Sequence, residues 1–191
     1  MTRWPRVSRE AYLEAGGAAA AIGAGALIAL KPSSGAVLAP VGLALIVGWI
    51  VWRDARDFII PDGAAVALAA LALGTRLAAE GLTWSAALVA LGDGLACGGV
   101  LWAIREVYYR LRGHDGLGFG DVKLSAGAGI LVGPTGFAVA VLAASLAGLA
   151  IVGLRAATCA GFDGAARIPL GALLAPAALG VWALGLGAVP I

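Results

Sequence analysis

Apolar residues along this chain fall in long unbroken runs rather than in alternation. Seven runs stand out, at about 12–30, 36–52, 63–79, 84–104, 122–133, 137–154 and 168–190. Continuous runs of this length predict helices. A membrane β-barrel would instead show segments of about ten residues alternating apolar and polar positions. The first, third and fifth runs are the weakest. The third contains Arg76, which is expected to snorkel from near the helix end. The fifth, about twelve residues at 1.5 Å each, falls short of roughly 30 Å of hydrocarbon. It therefore predicts a locally thinned bilayer or a segment packed inside the bundle. The expected fold is all-α: a polytopic integral membrane helix bundle of about seven transmembrane helices, within a range of six to eight. Residues 1–191 are expected to form one membrane-embedded domain.

Composition agrees with the pattern. Hydrophobic residues make up 61% of the chain and charged residues 13%, with a mean hydropathy of +0.97. A soluble domain carries roughly a quarter charged residues, so this chain is expected to partner a lipid bilayer. Its 30 glycines suit helices that approach closely through small residues. The net charge of +2 gives no footprint for nucleic acid. The start, MTRWPRVSREAYLEAGG, is basic and then apolar in the manner of a signal peptide. It lacks a clear cleavage site, which favours a retained first helix.

The charges divide between the connections. Arg3, Arg6 and Arg9 precede the first run, and Arg53 and Arg56 follow the second. Arg105, Arg110 and Arg112 close the fourth, Lys123 opens the fifth, and Arg155 and Arg167 bracket the loop after the sixth. With seven spans, these eleven of thirteen lysines and arginines lie on one side, and only Lys31 and Arg76 on the other. The positive-inside rule makes that side cytoplasmic, with the N-terminus inside and the C-terminus outside. Asp54, Asp57, Asp62, Glu106, Asp115, Asp121 and Asp163 belong to the same side, and Asp93, within LVALGDGLAC, is the exception.

Several chemistries are excluded. His114 is the only histidine, so HExxH zinc proteolysis has no ligand set. There is no GxSxG elbow, and Ser125 lies inside an apolar run. No phosphate-binding GxxxxGK[ST] loop occurs. Cys97 and Cys159 form no CxxC pair and read as small buried hydrophobes. Carboxylates remain. WRDARDFIIPD (52–62) and GHDGLGFGDVK (113–123) each place an aspartate where a loop meets a run: Asp54 after the second, Asp121 before the fifth. Two carboxylates held close share one proton, and such a pair can activate water while protonating a carbonyl oxygen. That chemistry needs neither metal, cofactor nor histidine. Structural readings stand beside it. Asp121 can serve as a helix N-cap. Asp54 and Asp57 can be solvated partners of Arg53 and Arg56, Pro61-Asp62 can start a helix, and Asp93 can be a hydrogen-bonding residue turned into the bundle.

At these residues the chain resembles the type IV prepilin peptidases, a family of GxGD membrane aspartyl proteases. Their first motif, an Asp followed seven residues later by Pro, matches Asp54 with Ile60-Pro61-Asp62. Their second, an acid followed by G-[ML]-G-x-G-D-x-K-L, matches Asp115-Gly116-Leu117-Gly118-Phe119-Gly120-Asp121-Val122-Lys123-Leu124, with Asp in place of the usual Glu. RIPLGALLAP (167–176) is similar to the family's R-x-P-F-G-P segment, with Leu170 and Ala172 departing from it. The resemblance covers about residues 40–180. It implies Asp54 and Asp121 as the catalytic pair, with Gly118, Gly120, Lys123, Pro61, Asp62 and Asp115 supporting the motifs or the substrate. Gly118 and Gly120 would let backbone approach the scissile peptide. Asp57, Asp62 and Asp115 would meet a basic leader, and Lys123 would orient a loop or bias the pair.

The activity implied is leader-peptide cleavage of type IV prepilin-like precursors at the cytoplasmic face of a bacterial inner membrane. The chain resembles the short, peptidase-only form of the family, which lacks the CxxC-bearing methyltransferase insert. Two alternatives remain open: a GxGD protease acting on signal-peptide-like or archaellin-like precursors, and a small ion or proton transporter working through Asp93.

Overall fold

The computed structural model describes residues 9–30, 32–158 and 168–186. Arg3, Arg6, Lys31, Cys159, Asp163 and Arg167 lie outside the described residues. Six helices make up the described chain: α1 (Arg9–Leu30), α2 (Pro32–Asp57), α3 (Asp62–Glu80), α4 (Trp84–Arg112), α5 (Phe119–Thr158) and α6 (Leu170–Ala183), with no strand among the described residues. Four are long and apolar enough to cross a membrane: α2 from Leu38, α3, α4 and α5. Two shorter apolar stretches join them, Gly16–Leu30 and Leu170–Ala183.

The fifth helix has 40 residues and as a straight rod would reach about 60 Å, twice a bilayer's hydrocarbon thickness. It is broken at Gly133, whose φ of 68° and ψ of 174° lie outside the helical region. Glycine adopts a positive φ without a Cβ clash, and Pro134 follows with no N–H to continue the ladder. The chain doubles back there. Before the break, Gly127 packs on Leu68 of α3 and Gly129 on Cys97 of α4. After it, Gly148 packs on Leu173 in the first turn of α6, beside Ala172, whose amide bonds Asp54. Six helices thus comprise seven helical segments, one for each apolar run.

Without the Pro134 N–H, the Ile130 carbonyl four residues earlier loses its helical donor. Arg76 of α3 supplies a replacement: its Nη1 donates to Ile130 O at 3.4 Å and to Asp93 Oδ2 of α4 at 2.6 Å, while Nε donates to Glu80 at 2.7 Å. The expectation that Arg76 snorkels outward is therefore corrected. Two carboxylates and an orphaned carbonyl make an inward course less costly than an isolated buried charge. Asp93 is accordingly a bonded residue in the bundle. Glu80 is a second acid at this end, one that the charge pattern had not singled out.

Helix ends follow from local chemistry. Thr83 caps α4 by accepting the Ala86 N–H at 3.2 Å. Gly113, at φ 73°, closes its far end by donating to Tyr109 O, with Arg110 and Arg112 in the last turn. That polar turn extends α4 eight residues past the apolar run, which stops near 104. Close approach is clearest where α1 crosses α3: a Cβ on Gly74 would fall 2.3 Å from Gly25 O, so any larger residue would separate the helices.

The core contains Leu43, Ile50, Leu68, Leu71, Leu124 and Leu174, all fully buried. Large apolar residues also cover the outside, with Leu45 71% and Leu95 77% exposed. An apolar exterior around an apolar core is the arrangement expected in lipid rather than water. Arg53, Arg56, Arg105, Arg110, Arg112, Lys123 and Arg155 fall at the end of the bundle where α2 and α4 finish and α3, α5 and α6 begin, and Arg76 lies toward the opposite end.

Candidate active site

Both motif aspartates lie at that basic end. Asp54 occupies the last turn of α2, and its backbone carbonyl accepts the Phe58 N–H at 3.0 Å. Phe58 closes the helix in the left-handed region, at φ 53°. A bulky residue rarely adopts that conformation, and such strain concentrates at functional sites. Asp54 is only 5% exposed. It turns away from its own helix toward the start of α6, where Oδ2 accepts the Ala172 N–H at 2.7 Å and the Gly171 N–H joins it. Helix α6 begins after Pro169, which offers no side-chain cap. Its first amides would be orphaned, and a carboxylate from α2 caps them and meets the positive end of the helix dipole.

Asp121 is not the N-cap of α5. The helix starts two residues earlier, at Phe119, and the Asp121 N–H donates to Gly118 O at 3.2 Å. Its carboxylate folds back over Gly118, and a Cβ there would stand 3.3 Å from Oδ2. The expected capping thus takes the form of a third helical residue reaching back to the cap position. Ser125, fully buried, donates to the Asp121 backbone carbonyl at 2.6 Å, so its hydroxyl is bound within its own helix.

Ile60 is a wedge between the backbone next to Asp121 and the α6 backbone that holds Asp54. Buried at the α2–α3 turn, it fills the spaces left by two glycines: a Cβ on Gly120 would lie 3.0 Å from Ile60 Cβ, and one on Gly171 only 2.6 Å from Ile60 Cδ1 and 3.0 Å from Asp54 Oδ2. Around this wedge the carboxylates of Asp54 and Asp121 come within reach of each other's charge. Gly120 therefore serves packing inside the protein, whereas Gly118 keeps the space beside the Asp121 carboxylate clear.

The supporting residues divide into two groups. Pro61 is buried and takes the cap position of α3, with Asp62 in its first turn, so the helix-start reading holds. Lys123 donates to Asp62 at 2.6 Å and lies 5.0 Å from the Phe119 ring, tying α3 to α5. Asp115 lies out on the loop, held by Arg105 at 2.6 Å, and Asp57 pairs with Arg53 at 3.2 Å. Each of the three acids expected to greet a basic leader thus already holds a cation of this chain. His114 packs edge-on against Tyr108, with ring centroids 5.5 Å apart.

Sequence reading gave no role to the α6 amides that hold Asp54. The signal was present in RIPLGALLAP, but a backbone donor has no side chain to advertise it.

A family model described as the type IV leader peptidase family matches residues 41–153. No curated protein and no solved structure matches the chain. The matched span covers more than half of the sequence and holds both aspartates, so the chain belongs to the type IV leader peptidase family and is an aspartic-type peptidase of the prepilin peptidase kind.

Proposed function

We propose that Asp54 and Asp121 are the catalytic pair of an endopeptidase that removes the leader from type IV prepilin-like precursors at the cytoplasmic face of a bacterial inner membrane. The observation that carries this reading is that two motif aspartates, from α2 and α5, lie near enough around Ile60 for their charges to interact, at the basic end of an apolar bundle. On this reading the seven helical segments act as seven crossings, and the positive-inside rule supports a cytoplasmic side for the N-terminus and the catalytic pair.

In the reaction, one carboxylate removes a proton from water as its oxygen attacks the scissile carbonyl carbon. The other, protonated, donates to the carbonyl oxygen. The tetrahedral intermediate collapses with proton transfer to the leaving nitrogen, and the C–N bond breaks. The α6 amides fix Asp54 through Oδ2 and leave Oδ1 for the water or the shared proton. A precursor's apolar helix can lie along the lipid-facing surface, which brings its leader junction to the rim where α2 ends and α5 begins.

The test is incubation of the purified chain in detergent or liposomes with a full-length prepilin, with mass spectrometry locating the cut. Cleavage at the junction between the basic leader and the apolar helix is expected. An intact prepilin, with cleavage confined to other membrane precursors, would overturn the substrate assignment.

The hold on Asp54 yields its own expectation. Gly171→Ala drives a Cβ into Ile60 and Asp54 Oδ2, and displacement of a reacting group by about 1 Å can cost roughly a hundredfold in rate. Turnover should fall by about that factor. Gly180→Ala on the same helix meets nothing within 4 Å and should stay close to the parent rate. Equal activity of the two variants in a steady-state cleavage assay would show that the α6 amides do not position Asp54.

A further inference from the structure

We propose that Arg105 is the positioning residue for the loop that delivers Asp121, an inference that rests on the assignment of Asp121 to the catalytic pair. The loop between α4 and α5, residues 113–118, is short and glycine-rich; His114 and Gly116 lie against Tyr108, and its end nearest Asp121 depends on Arg105. Arg105, two turns before the end of α4, grips it at successive odd-numbered positions. Its Nη2 donates to Asp115 Oδ1 at 2.6 Å, its Nε donates to Leu117 O at 3.1 Å, and its guanidinium lies 6.0 Å from the centre of the Phe119 ring. Phe119 is the first residue of α5, two before Asp121.

The geometry requires a planar fork. Two donors fixed in one plane reach a side chain and a main-chain carbonyl two residues apart, a directional pair of bonds that a single ammonium group cannot reproduce. The Arg105 side chain is only 23% exposed, and its bond to the Leu117 carbonyl, partly buried, competes less with water than its bond to the exposed Asp115. Lys123 holds the same Phe119 ring and is anchored to Asp62. A continuous line of contacts thus runs from α4 through the loop and the start of α5 to the start of α3. Asp121 sits in the turn that this line fixes, and Asp54 is fixed independently by α6. Arg105 thus contributes to where the Asp121 carboxylate stands relative to Asp54 without touching either.

The experiment compares Arg105→Gln, Arg105→Lys and Asp115→Asn with the parent in full-length chains, using the prepilin cleaved by the parent. Arg105→Gln is expected to lower kcat by roughly ten- to a hundredfold with KM within about twofold, since substrate contacts are unchanged while the reacting group is misplaced. Arg105→Lys should recover only part of that loss, and Asp115→Asn should lose less than Arg105→Gln because the Leu117 and Phe119 contacts remain. Hydrogen exchange at residues 113–118 should rise in Arg105→Gln and not in Asp121→Asn. An unchanged kcat, a raised KM at constant kcat, or full recovery by lysine would each overturn the proposal. If the parent leaves every prepilin intact, the functional assignment fails instead, and the exchange measurement still decides whether Arg105 holds the loop.

Discussion

Asp54→Asn and Asp121→Asn are each expected to reduce prepilin cleavage by roughly a thousandfold or more while the bundle stays folded. Loss of one member of a catalytic unit typically costs that much, and losing the second then adds little. Asparagine is the informative replacement because it separates capping from chemistry. At position 54 its carbonyl oxygen can still accept the Ala172 and Gly171 amides, so the join between α2 and α6 survives. At position 121 it can still fold back over Gly118. Neither amide can take a proton from water or share one with its partner. The double variant should be about as inactive as either single one, and thermal midpoints in detergent should remain near that of the parent. Asp57→Asn is the counterpart: Asp57 belongs to an exposed pair with Arg53, and such a pair contributes well under about 1 kcal/mol. Its activity should match the parent's. Parent-level cleavage by either Asp54→Asn or Asp121→Asn would remove the pair from the mechanism, whatever the geometry around Ile60.

How far this site could be read beforehand depended on whether each partner lies close in sequence or is a side chain with its own chemical signature. The seven helical segments were legible because hydrophobic runs dictate them, and Gly133-Pro134 marks the turn within α5. The extents of α2 and α4 were not, because arginines in a last turn suit both the helix dipole and water, and no hydropathy change marks where such a helix stops. The motif aspartates stood out as acids beside apolar runs. The cap of α6 did not, since Asp54 and Ala172 are 118 residues apart and the donors are main-chain amides. In sequence Gly120 suggests a place open to substrate. Only the fold shows that Ile60 already occupies the space its missing side chain leaves. In sequence Arg105 is one more topological charge; only the fold shows that the loop it holds leads into Asp121.

Asp93 presents the opposite case, an acid whose position invites a functional reading that its partners make unnecessary. It opens on a cavity of about 770 Å³ lined also by Arg76, Glu80, Thr75 and Thr135, at the end of the bundle away from Asp54 and Asp121. Arg76, however, is shared among Asp93, Glu80 and the Ile130 carbonyl. Together they tie α3 and α4 to the point where α5 turns back. Removing one partner of a largely covered ion pair typically costs about 3–5 kcal/mol, because the remaining charge is left without compensation. Asp93→Leu is therefore expected to lower the unfolding free energy by about that amount, less what Glu80 retains. Arg76→Met should also destabilise, by stranding Asp93 and the Ile130 carbonyl together. The double variant Arg76→Met/Asp93→Leu leaves no covered charge unpaired and should recover most of the loss, a non-additivity that a double-mutant cycle on thermal or denaturant unfolding would measure. Glu80 is exposed enough to be solvated once Arg76 is gone, so it does not oppose the recovery. Cleavage per folded molecule should change little in all three, since the pair lies far from the catalytic carboxylates. If the single losses simply add, Arg76 and Asp93 do not act as a clamp. If Asp93→Asn instead abolishes activity in a fully folded protein, Asp93 belongs to a proton path, and the transporter alternative would regain the support that its bond to Arg76 now removes.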